Sequence, residues 1–127
     1  MDEARATKRI PMDFKISSER PGDTIGLVTV TGEIDVYTSP RVRSAMLELF
    51  EAGCTSLVVD LSNVDYLDSS GLGVLVAGLK RAREHGGEVH IVTSKVRIMR
   101  VLEVTGLDKI FSISSTAAEA LADTGGK

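Results

Sequence analysis

The sequence of 127 residues predicts a single α/β domain, a mixed and mostly parallel sheet of about five strands with about four helices. Three observations carry that prediction. Short β-branched runs alternate with amphipathic stretches along almost the whole chain. The apolar residues of each longer stretch recur at helical spacing. Gly and Pro fall between them, where turns and helix ends need them. At this length the chain holds one core and is too short for two. The domain is expected over residues 12–123, with loose tails over 1–11 and 124–127.

Taken in order, Asp13-Phe14-Lys15-Ile16-Ser17 alternates polar and apolar, as a half-exposed edge strand does. Pro21-Gly22-Asp23 is turn chemistry. Ile25 to Thr31 reads as a second strand, antiparallel to the first and closed by Gly32-Glu33-Ile34-Asp35. Ser39 as N-cap, with Pro40 at the first helical position, opens a helix. Val42, Ala45, Met46, Leu49 and Phe50 form its apolar stripe, and Gly53 stops it. Leu57-Val58-Val59-Asp60-Leu61 is the third strand. The helix after Ser70 carries Leu72, Leu75, Val76, Leu79 and Ala82, and it runs to about His85 before Gly86-Gly87 break it. Val89 to Val92 is the fourth strand. Ser94 is placed to cap a helix bearing Ile98, Met99, Val101 and Leu102, with Gly106 as its stop. Ile110 to Ile113 is a last short strand, and Thr116 to Glu119 fits a capping box opening a final helix through Leu121. Successive strand–helix–strand units imply parallel pairing with right-handed crossovers.

Composition narrows the function. A net charge of −3 and a pI near 5.4 argue against a dedicated nucleic-acid binder. Lys80, Arg81 and Arg83 read as the solvated face of an amphipathic helix. The single cysteine, Cys54, forms no intramolecular disulfide, which points to a reducing compartment, and no charged neighbour activates it. Residues 1–9 are charged in both signs and make no signal peptide. The longest apolar stretch, Leu72 to Leu79, falls far short of the roughly 20 residues a membrane span needs. A cytoplasmic protein without membrane or nucleic-acid partners is expected.

Enzyme signatures are sparse. His85 and His90 have no metal-ligand spacing; His85 fits a helix C-terminus, and alternation sets His90 opposite Val89 and Ile91. Gly71-Leu72-Gly73 lacks the lysine of a phosphate loop. No metal, cofactor or catalytic residue is expected. Asp60, Asp65 and Asp68 admit a rival, the phosphoaspartate receiver, but that family's acidic pair and lysine are replaced by Glu19-Arg20-Pro21 and Ser114-Ser115-Thr116.

The run Asp68-Ser69-Ser70-Gly71-Leu72-Gly73 sets two hydroxyls where a strand gives way to a helix. A helix N-terminus offers unpaired N–H groups and the positive end of the dipole, both of which favour a phosphate. A plain N-cap, worth about 1 kcal/mol, accounts for a serine there equally well. Gly71 and Gly73 in the first helical turn each cost up to about 1 kcal/mol, so close approach by backbone or partner is expected to require them.

Taken with Gly32-Glu33-Ile34-Asp35-Val36-Tyr37-Thr38, Leu57 to Leu61, Gly86-Gly87-Glu88 and Gly106 to Phe111, this run resembles the bacterial anti-sigma factor antagonists of the STAS domain family, especially the actinobacterial branch. The resemblance covers about Met12 to Ala122. It implies a regulatory module rather than an enzyme. The unmodified antagonist would bind an anti-sigma factor, usually a serine kinase with an ATPase-like fold, and so free a sigma factor. The kinase would phosphorylate the serine after the aspartate, here Ser69, and a metal-dependent phosphatase would restore it. Asp35, Asp68, Ser70, Gly71, Leu72 and Gly73 would contact the partner. A STAS-type module that binds a small ligand is the remaining alternative.

Overall fold

In the computed structural model, which describes residues 13–125, the strand signals become one sheet in the order β1 (Lys15–Glu19), β2 (Ile25–Ile34), β3 (Ser56–Leu67), β4 (Val89–Val92) and β5 (Ser112–Ser114). The expected tail over residues 1–11 lies outside the described residues, as do residues 126–127. β1 runs antiparallel to β2, and every later pair is parallel. Four helices connect and cover the sheet: α1 (Ser39–Glu51), α2 (Ser69–Glu84), α3 (Val96–Val104) and α4 (Ala117–Gly125). A 3-10 turn, Leu107–Lys109, precedes β5. Thr124 and Gly125, at the start of the expected C-terminal tail, are part of α4.

Each crossover from β2 onward advances one strand in the same direction, so right-handedness sends α1, α2 and α3 to one face. There Val28, Val30, Leu57, Val59, Leu61 and Ile91 pack with Val42, Met46, Leu49, Leu75, Leu79, Ile98 and Leu102. Val58 and Val92 point the other way, onto Ala120 and Leu121 of α4. β4 is therefore buried on both faces. His90 does lie opposite Val89 and Ile91, but beneath α4, with its Nε2 2.8 Å from Ser114 Oγ and its Nδ1 3.8 Å from Asp123 Oδ2. Burial lowers its pKa, and the charge of Asp123 partly opposes that.

Several boundaries differ from the sequence reading. β1 begins two residues later than expected, and so does β5. Ser39 is the first residue of α1, and Thr38 takes the cap position. Ser94 does not cap α3: Lys95 holds that position, and its N–H is accepted by Thr93 Oγ1 at 3.2 Å. The box at α4 forms with a shift, because Glu119 N donates to Thr116 Oγ1 while Glu119 Oε1 accepts from Ser115 rather than Thr116. Gly53 ends α1 with φ of +110°, as expected of a glycine stop.

The largest departure is β3, which continues through Ser62-Asn63-Val64-Asp65-Tyr66-Leu67. It stays paired with β2 across two register shifts, between Thr29 and Thr31 and between Gly32 and Glu33. That extension carries the chain to the carboxyl end of the sheet, where α2 begins.

Candidate docking and modification site

Asp68 is the N-cap of α2. It has extended backbone, and its Oδ1 accepts from Ser70 N at 2.9 Å and Gly71 N at 3.3 Å. Leu72 N bonds the Asp68 carbonyl at 3.0 Å. The anion cradle expected from the sequence is thus already filled, by Asp68 itself. A phosphate placed on this helix finds those amides taken and must face outward.

The two serines are separated by this arrangement. Ser70 is half-buried and donates its hydroxyl to Asp68 Oδ1 at 2.5 Å. Ser69, the first helical residue, is exposed, and among the described residues none hydrogen-bonds its hydroxyl. One alcohol is tied into the cap and the other stands open to solvent.

The two glycines separate as well. A Cβ on Gly71 would lie 2.5 Å from Leu67 Cδ1 and 2.7 Å from Ile34 Cγ2, so this buried residue lets α2 close onto the strand ends. It faces the core rather than a partner. A Cβ on Gly73 would meet nothing within 4 Å, and the residue is exposed one turn beyond Ser69. Nothing inside the domain asks for glycine there. Leu72 is half-buried and packs on the core.

Asp35 is brought to the same end. Ile34 and Leu67 are register partners, and Asp68 N donates to Ile34 O at 3.2 Å. The Asp35 carboxylate holds its own turn: Oδ1 accepts from Tyr37 N at 2.9 Å and Thr38 N at 3.1 Å. The buried Thr38 hydroxyl donates to Glu33 O at 2.7 Å. This Asx-type turn presents Val36 and Tyr37, 62% and 47% exposed, beside the Ser69 end, and Tyr66 is 42% exposed close by. Sequence reading did not single out these three as site residues. The available signal was an apolar pair inside a turn, Asp35-Val36-Tyr37-Thr38, where no strand or helix period accounts for it.

The acidic residues do not form a receiver pocket. Asp60 Oδ1 accepts from Ser62 N and Oγ, Asp65 pairs with Lys95, and Asp68 caps α2. The sequential strand order also differs from the 2-1-3-4-5 order of that family's fold. Among the described residues no group of three or more His, Cys, Asp or Glu side chains is arranged to hold a metal ion, and no helix is long and apolar enough to cross a membrane.

Comparison with known proteins gives the same picture. The STAS domain family model matches residues 15–120. An anti-sigma-B factor antagonist of Bacillus subtilis is 39% identical over 88 residues, covering 69% of this chain and 80% of that one. The crystal structure of an anti-sigma factor antagonist from Mycobacterium paratuberculosis superposes with a TM-score of 0.81 at 31% identity, covering 91% of this chain and 97% of that one. The Bacillus cell fate determinant SpoIIAA in its phosphorylated form shares the fold, with a TM-score of 0.70 at 17% identity over 86% of this chain and 98% of that one. With its sheet order, its capped α2 and the match over residues 15–120, this chain belongs to the STAS domain family.

Proposed function

We propose that this domain is an anti-sigma factor antagonist whose docking is switched by phosphate on Ser69. The unmodified carboxyl end of the sheet binds an anti-sigma factor that is also a serine kinase, which releases a sigma factor. The kinase then transfers the γ-phosphoryl group of ATP: the bond from γ-phosphorus to the bridging oxygen breaks, a bond to Ser69 Oγ forms, the serine proton is lost and ADP departs. A metal-dependent phosphatase reverses the change by hydrolysis, returning the serine and inorganic phosphate.

The observation that carries this reading is the contrast between the exposed, unbonded Ser69 hydroxyl and the Ser70 hydroxyl held by Asp68. The energetics run the same way. Phosphate adds about −1.5 to −2 charge at pH 7. It does so beside Asp68, Asp35 and the exposed Glu33, so a partner pressed against this end meets repulsion and a costly desolvation. Because the cap does not depend on Ser69, the fold survives while the interface fails.

The test uses the kinase recovered with the protein from its native cells. The parent and Ser70→Ala should take up phosphate, mapped to residue 69 by mass spectrometry. Ser69→Ala should take up none and stay bound, and Ser69→Asp should bind at least about tenfold more weakly, a loss of about 1.4 kcal/mol. Undiminished phosphate on Ser69→Ala would overturn the assignment.

A further inference from the structure

We propose that two copies of this chain associate through their β1 edges, strand against antiparallel strand about a two-fold axis at Ser17, so that the two sheets become one. β1 ends the strand order, and among the described residues nothing pairs with its outer side. Its five residues, Lys15-Ile16-Ser17-Ser18-Glu19, are exposed except for the half-buried Ile16. Such an edge presents a row of open N–H and C=O groups that templates another strand. The opposite edge, β5, offers only three residues and no charge.

The sequence of β1 is complementary to itself when reversed. An antiparallel pair centred on Ser17 sets Lys15 of one copy against Glu19 of the other, and the axis makes the contact twice. Both residues share a face with Ser17, and opposite charges facing each other across strands are favourable. Among the described residues Lys15, Glu19 and Glu48 make no ion pair within their own chain. A lone edge lysine ordinarily discourages pairing. Here a glutamate four residues on turns it into a mark of register.

The other face repeats the pattern. Ile16 and Ser18 stand opposite the buried Val30 and Val28, so they face α1. Between β1 and α1 lies a cleft of about 380 Å³ lined by Ile16, Ser18, Arg41, Ser44, Ala45 and Glu48 among others. Arg41 lies over the Phe14 ring, which places the start of α1 at the Lys15 end of β1 and leaves Glu48 toward the Glu19 end. The same axis therefore brings Arg41 of one copy to the level of Glu48 of the other, with Ser44 and Ala45 near the centre. Strand charges and helix charges select one arrangement. Because this axis reverses strand direction, the two Ser69 sites lie at opposite ends of the joined sheet. Assembly of this kind needs no phosphate on Ser69, so it stands or falls apart from the switch.

The test follows the full chain by sedimentation equilibrium from micromolar to millimolar concentration. The parent should reach a dimer and nothing larger, since a two-fold contact closes on itself. Lys15→Glu and Glu19→Lys each set like charges across the axis and should raise the dimer dissociation constant about tenfold at low salt. Mixed in equal amounts, the two variants should regain the parent's association, because the glutamates of one then meet the lysines of the other. The double variant Lys15→Glu, Glu19→Lys should regain it alone. Independently of any substitution, amides of β1 in the parent should exchange with deuterium more slowly as concentration rises. A parent that stays monomeric throughout, whatever else lies on the edge, would overturn the proposal. So would a dimer that both single variants leave unchanged, or single variants that fail to rescue each other.

Discussion

The two ends of the parallel strands are built differently. At the amino end, the starts of β2, β3, β4 and β5 surround a cleft of about 740 Å³ lined by Ile25, Ser56, Glu88, His90, Ser112 and Asp123 among others. At the carboxyl end, the strand tips are closed off by the Asp35 turn and the capped start of α2. Ligands of open α/β sheets usually sit outside the carboxyl ends. Here that end offers exposed Val36, Tyr37 and Tyr66 and the Ser69 hydroxyl, which no described residue hydrogen-bonds. A surface of that shape suits another protein better than a small molecule.

The sharpest way to break this contrast is at the glycines of α2. Gly71→Val should destabilise the domain by about 1–3 kcal/mol, because its side chain collides with Leu67 and Ile34. Gly73→Ala should do the reverse, stabilising by up to about 1 kcal/mol while weakening capture by the anti-sigma factor. Urea unfolding and titration calorimetry read the two effects. If Gly73→Ala left binding untouched, the face beside Ser69 would not be the docking surface.

Asp68→Ala comes next. It removes the carboxylate oxygen that accepts from the Ser70 and Gly71 amides and from the Ser70 hydroxyl, and should cost about 0.5–2 kcal/mol in thermal or denaturant unfolding. It also frees the Ser70 and Gly71 amides, so any loss of phosphate-dependent release in this variant would assign Asp68 a part in the switch beyond capping.

The smallest effect belongs to the amino end. His90 has a lowered pKa in the folded protein, against 6.5 ordinarily. Above that value both states are neutral and stability is full. As pH falls through it, the unfolded chain takes the proton first, so stability is lost from about 6.5 downward until folded His90 is also protonated. Asp123→Asn should widen the loss, since the carboxylate favours the charged ring. His90→Leu should flatten it in unfolding series between about pH 7.5 and about pH 5. An unchanged slope would mean that other groups set the acid limit.

Much of this was legible in the sequence where one physical cause acts alone. The apolar stripe of α1 and the run Val89–Val92 gave their elements directly, because burial fixes their period. The second half of β3 was hidden, since Ser62 and Asn63 break the apolar pattern and pairing with β2 across register shifts overrides it. Ser69 could be picked out by its place before an amphipathic stretch, but its difference from Ser70 depends on which hydroxyl the Asp68 carboxylate captures. The exposure of Val36 and Tyr37 comes from a side-chain-bonded turn that no periodicity reports.

One further consequence follows from α4. Its Ala120 and Leu121 cover Val58 and Val92, so the second face of β3 and β4 depends on a segment made after every strand of the sheet. During synthesis on the ribosome that side stays bare, with sticky aliphatic groups open to solvent and to neighbouring chains, until residues 117–125 emerge. Nascent copies are thus most prone to clumping just before that segment emerges, and a stop ahead of Ala117 would leave them so permanently.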